Sequence, residues 1–112
     1  MMTHFSDPSD KQFAKDIIQG APQQSKSWLA FDHAVMETPS AIPQKYKELI
    51  AIGIALTTQC PYCIDKHVQQ ARQQGMTEAE LSETIMIAAA LRSGAAIGYG
   101  LLATKIYRKE GL

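Results

Sequence analysis

Apolar and polar positions recur along this chain at helical spacing. Phe13, Ile17 and Ile18 make a small apolar face that ends at Gly20. Pro22 restarts the chain, and Trp28, Leu29, Phe31, Val35 and Met36 fit an amphipathic helix over about 22–37. Thr38-Pro39-Ser40 reads as a loop, and Pro43 opens a third helix running to about 58. Within it, Leu49 to Leu56 is a nearly unbroken apolar run that taken alone resembles a buried strand. It continues into Gln44–Glu48 on one side and Thr57-Thr58 on the other, about fifteen residues with only Gly53 as a breaker, and that length favours a buried helix. A fourth helix spans about 60–74 with Gly75 as its C-cap, carrying Cys60, Ile64, His67 and Ala71 on one stripe. Thr77-Glu78-Ala79-Glu80 is a capping box that opens the next helix. Leu81, Ile85, Ile87, Ala88 and Leu91 populate that helix, with a break expected near Ser93-Gly94 and a last helix ending near Tyr107. No segment alternates as a sheet requires. The pattern predicts an all-α bundle of about five to six helices.

Length makes residues 1–112 a single domain, small enough to gain from association. From Met86 to Leu102 nearly every residue is small and apolar, more such surface than a short chain can cover internally, so a homo-oligomer is expected. Formal net charge is zero, which gives no footing for nucleic acid or an anionic membrane surface. Residues 1–8 lack the basic and apolar regions of a signal peptide, and no apolar run reads as long enough to cross a bilayer. The expected location is the cytoplasm, with residues 1–10 frayed and a polar tail from Arg108.

The chemistry concentrates in Cys60-Pro61-Tyr62-Cys63-Ile64-Asp65-Lys66-His67, which holds the only two cysteines of the chain. In a reducing compartment such a pair is a working dithiol rather than a structural staple. Pro61 suits a first helical turn. The free N–H groups and dipole of that turn would stabilise a Cys63 thiolate. His67, four residues on, shares its face and can act as a base for the thiol. Glu48 lies eleven residues before the expected reversal at Gln59 and His67 eight after it. At about 1.5 Å per residue their axial offset is only about 4–5 Å, so two long side chains on helices about 8–10 Å apart can meet. A carboxylate there would orient the imidazole and raise its basicity. The alternative for Glu48 is a solvated shoulder position paired with Lys45 or Lys47. His33 reads as a partly exposed helix histidine. Other classes remain open: a metal module using Cys60, Cys63 and His67 with a fourth ligand from elsewhere, a non-catalytic redox-regulated oligomer, or a glutaredoxin-type dithiol. No flavin or nicotinamide fingerprint is present, so no cofactor is expected beyond the cysteine pair, and electrons must come from a partner.

Glu48, the Cys60-Pro61-Tyr62-Cys63 dithiol and His67, flanked by Lys45-Tyr46-Lys47-Glu48-Leu49-Ile50-Ala51 and by 71–81, resemble the carboxymuconolactone decarboxylase family over about 22–107. The likeness is to its alkylhydroperoxidase-D-like branch. That resemblance implies a helical homo-oligomer, a trimer or hexamer, with thiol-dependent peroxide reduction. It implies Cys63 as the peroxidatic cysteine, Cys60 as the resolving one, and Glu48 with His67 as the proton relay. It also implies an external dithiol donor, such as a lipoylated or thioredoxin-like protein. Tyr62 stands where that branch carries a second histidine, and a phenol is a poor base near neutral pH. Lactone decarboxylases of the family generally lack the dithiol, so its presence argues against that reaction.

Overall fold

A computed structural model describes residues 6–109. A 3-10 helix, Pro8–Phe13, leads into α1 (Ala14–Gly20), followed by α2 (Pro22–Met36), α3 (Gln44–Thr58), α4 (Pro61–Gln73) and α5 (Glu78–Arg108). No strand occurs among the described residues. Several helices start where local chemistry supplies a start. Pro22 and Pro61 occupy first turns, where their missing N–H costs nothing. Thr77 and Glu80 form the expected reciprocal capping box of α5, Thr77 Oγ1 accepting from the Glu80 amide at 3.1 Å and Glu80 Oε1 from the Thr77 amide at 2.8 Å.

The reversal between α3 and α4 sets the geometry of everything else. Gln59 closes α3 in the left-handed region, with φ 57° and ψ 49°, and only Gln59 and Cys60 separate the two helices. They form a tight helical hairpin. At the far end of α4 the chain leaves through a Schellman turn. Gly75 takes φ +88°, the Met76 amide donates to the Ala71 carbonyl at 2.9 Å, and the Gly75 amide donates to Arg72 at 3.1 Å. This bears out Gly75 as the helix stop.

α5 packs its first half across α3, where Arg92 donates to the Thr57 carbonyl at 3.1 Å. The expected break at Ser93-Gly94 is absent, and α5 runs unbroken for 31 residues. Ser93 bonds back to the Ala90 carbonyl, and no neighbour lies near Gly94 to force a bend. The roughly 1 kcal/mol propensity cost of one glycine is absorbed by the alanines and leucines around it. This continuity also revises the membrane expectation. An 18-residue window of α5 has a mean hydropathy of 1.6, so by length and composition this helix could span a bilayer.

Two more expectations change. Residues 6–10 are not frayed: Asp7 caps the 3-10 helix, and Asp10 and Lys11 bond to α4 (residues 1–5 lie outside the described range). The apolar face of α2 exists but is left largely open by the described residues, with Trp28 61% and Phe31 66% exposed. The buried set is correspondingly small: Ile52, Ala55, Ala71, Ala88 and one charged residue, Glu48. These lie on α3, α4 and the start of α5, where the three helices come together. The Cα radius of gyration is 18.8 Å, against about 13 Å for a compact chain of this length.

Candidate active site

The site grows from the α3–α4 hairpin. Because Gln59 turns the chain so tightly, Glu48 on α3 and His67 on α4 meet directly, His67 Nδ1 donating to Glu48 Oε2 at 2.6 Å. The Glu48 side chain is 2% exposed and that of His67 13%. Removing a carboxylate from water costs several kcal/mol, so its lone pairs must be occupied. Gln44 Nε2 donates to Glu48 Oε1 at 2.8 Å. Gln70, with its amide nitrogen turned toward the carboxylate, donates to the same oxygen at 3.0 Å. Lys45 and Lys47, the alternative partners, are engaged elsewhere. Lys45 pairs with Glu80 at 2.8 Å, and Lys47 donates to the Val35 and Thr38 carbonyls around the C-terminus of α2. Glu48 is no solvated shoulder.

A proton on Nδ1 leaves Nε2 of neutral His67 as the accepting nitrogen. His67 lines a cavity of about 470 Å³ together with Cys63. Most other lining groups are apolar, among them Ile42, Ile50 and Ile54. Cys60 and Cys63 are joined by a disulfide, their Cα atoms 5.3 Å apart. Cys60 is the N-cap of α4, and its sulfur accepts the Cys63 amide at 3.3 Å. The capping bond thus goes to the Cys60 sulfur. Cys63 is instead distinguished by its cavity. Among the described residues no three His, Cys, Asp or Glu side chains gather to hold a metal ion. His33 is exposed and pairs with Glu37 at 2.7 Å.

Tyr62 points away from this relay. Its hydroxyl donates to Asp10 Oδ2 at 2.8 Å, and that carboxylate pushes the phenol above its ordinary value of 10.0, leaving it still less fit to act as a base. Beside it, Lys11 pairs with Asp65 at 2.7 Å. The Lys11 ammonium, then the Gln69 amide, hold the Asp65 carboxyl below its ordinary 3.8. The N-terminal segment is thereby fastened to the dithiol helix. Gln44, Gln70, Asp10 and Lys11 all escaped the sequence reading. Gln44 is four residues before Glu48 and Gln70 three after His67, so helical spacing could have flagged both. Nothing local could have flagged Asp10 and Lys11.

Among the described residues, an all-helical fold with a disulfide-linked cysteine pair at a helix start and a buried glutamate–histidine pair fits a redox role. The carboxymuconolactone decarboxylase family model matches residues 22–105, and the chain belongs to that family. Its features are consistent with the alkylhydroperoxidase-D-like branch. One relative is uncharacterized protein 4 in the cox locus of Paracoccus denitrificans, 42% identical over 65 residues. That match takes in 58% of this chain and 59% of the relative, so the chain spans well under two thirds of its length. A carboxymuconolactone decarboxylase family protein of Legionella pneumophila, solved in its apo form, superposes with a TM-score of 0.65 at 29% identity over 88% of this chain and 87% of its own. A protein of Methanobacterium thermoautotrophicum gives a TM-score of 0.72 at 26% identity, covering 78% of this chain and 97% of that one.

Proposed function

We propose that the protein is a thiol-dependent peroxidase or disulfide reductase of antioxidant defence, working as a homo-oligomer in the cytoplasm. One observation supports this above the rest: Cys63, one half of a disulfide-forming pair, lines a cavity with a histidine whose other nitrogen is held by a buried carboxylate. In the reduced protein His67 Nε2 takes the Cys63 thiol proton. The thiolate attacks the outer peroxide oxygen, the O–O bond breaks, and the departing alkoxide takes the proton from His67. Cys63 is left as a sulfenic acid. The Cys60 thiol then condenses with it, expelling water and closing the disulfide. An external dithiol, of the lipoylated or thioredoxin-like kind, returns two electrons and two protons by thiol–disulfide exchange. The apolar cavity suits an organic hydroperoxide or an aliphatic dithiol arm. Nothing in the site calls for a lactone.

The oligomer follows from the same physical reading. With five buried residues among those described and a Cα radius of gyration of 18.8 Å, the longest helix is left largely uncovered. Leu91, Ile97 and Leu101 are each about 70% exposed. Covering such surface with further copies gains about 25 cal/mol per Å² of apolar area.

Donor-coupled peroxide turnover with a panel of dithiol reductants tests the activity. Cys60→Ser should still react once with peroxide and accumulate a sulfenic acid on Cys63 trappable by a dimedone-type probe, whereas Cys63→Ser should form no adduct. Reduced wild type that is silent to peroxides and to disulfides would refute the activity. Trapping on Cys60 would reverse the two roles.

A further inference from the structure

Glu48 also lines a polar cleft, with Glu37, Gln44, Gln70, Gln73 and Gln74, that shares no lining residue with the Cys63 cavity. Glu48 therefore links this glutamine-lined cleft, through His67, to the apolar cavity holding Cys63. Only two of the glutamines reach its carboxylate. Gln44 donates to Oε1 from one turn earlier on α3 at 2.8 Å. Gln70, its amide nitrogen turned toward the carboxylate, donates from the facing helix α4 chiefly to Oε1 at 3.0 Å, with a longer 3.3 Å contact to Oε2. We propose that Gln44 and Gln70 are positioning residues, a two-helix clamp that holds Oε1 so that Oε2 stays on His67 Nδ1. This inference rests on the thiol-relay reading above.

The physical case has three parts. A carboxylate can rotate about its last bond, and a single donor leaves that rotation free. Donors from two different helices on one oxygen fix the plane, and with it which oxygen meets His67. Second, both donors are neutral amides. They do not compete with His67 for its role as the ionisable partner of Glu48, as a lysine or arginine would. Glu37 is the other ionisable group of the cleft, and it is paired with His33 at 2.7 Å. Third, the outcome reaches the sulfur through a tautomer. Only while Glu48 accepts at Nδ1 is Nε2 free to take the thiol proton, so loosening the clamp weakens the base without touching the cavity. Such orienting partners commonly tune a histidine of this kind.

The test is the pH profile of alkylation of the reduced protein by iodoacetamide, read with the 15N shifts of His67. In Gln44→Met and Gln70→Met the acid limb should move up by about one pH unit, a tenfold slower reaction at fixed pH on that limb. Rates above pH 9 should be unchanged, and the His67 shifts should move toward mixed tautomers. Gln73→Met, in the same cleft but not bonded to Glu48, should match wild type. Should a methionine variant fail to fold, Gln44→Glu or Gln70→Glu keeps shape and polarity, and setting a second carboxyl against Glu48 must move the acid limb further. Gln44 and Gln70 variants with the wild-type profile and wild-type His67 shifts, or with a loss equal at every pH, would overturn the proposal. Glu48→Gln in the same series separates the two readings. If it shifts the profile while the glutamine variants do not, only the clamp fails. If it too is silent, the relay itself falls.

Discussion

Replacing Glu48 in two ways should separate stability from reactivity. Glu48 accepts from three donors, His67, Gln44 and Gln70, while 2% exposed. Glu48→Leu leaves all three facing a carbon chain, and stranding part of a buried charged network typically costs about 3–5 kcal/mol. Glu48→Gln is different. Its amide oxygen can keep the bonds from Gln44 and Gln70, while its NH₂ turns to His67 and makes Nδ1 the acceptor. Every polar atom stays satisfied, so the stability loss should be near that of one hydrogen bond, about 1 kcal/mol. The proton of neutral His67 is then driven to Nε2, and the nitrogen facing the thiol cavity is no longer a base. Loss of general-base assistance is worth about 10²–10⁴ in rate. Urea unfolding at fixed protein concentration under reducing conditions, together with iodoacetamide alkylation at pH 7, reads both quantities. Glu48→Leu should lose both. Glu48→Gln should keep most of its stability and lose at least about a hundredfold in alkylation. Because the two residues act as a unit, adding His67→Gln should slow the reaction little further. Wild-type alkylation in Glu48→Gln, or full additivity in the double variant, would refute the reasoning.

Other outcomes follow from elsewhere in the molecule. Ala71 is fully buried where α4 meets the bundle, so Ala71→Leu should overpack that contact and destabilise the fold by about 1–3 kcal/mol or more, seen as a lower urea midpoint. Asp65 is held below its ordinary 3.8 by Lys11, so its contribution to fastening the N-terminal segment is complete above that value and fades as pH falls through the lowered one. Amide-exchange protection over 8–13 should therefore drop as pH is taken below 3.8 and with added salt, and an unchanged pattern would exclude the tether. Light scattering at micromolar concentration should give at least a trimer. Leu91→Glu with Ile97→Glu on the exposed face of α5 should lower that mass, and a wild-type monomer would refute the assembly.

Helix periodicity, proline starts, the Thr77 capping box and the Gly75 stop are local signals, each set by residues within a few positions of one another. They placed the helix ends to within a residue or two. The meeting of Glu48 with His67 was also legible, because one tight reversal at Gln59 converts sequence distance directly into height along two helices. What sequence could not decide depends on neighbours. Ser93-Gly94 reads as a break because glycine weakens a helix locally, but with no element packed near Gly94 nothing bends the chain there. Residues 6–10 look too polar to be ordered, yet Asp10 and Lys11 find Tyr62 and Asp65 more than fifty positions away. Trp28 and Phe31 follow a sound amphipathic pattern, and only the fold reveals that the described residues leave them mostly open. The glutamines around Glu48 carry no signature of their own. A buried carboxylate needs every lone pair answered, and which side chains answer is settled only when two helices close upon it.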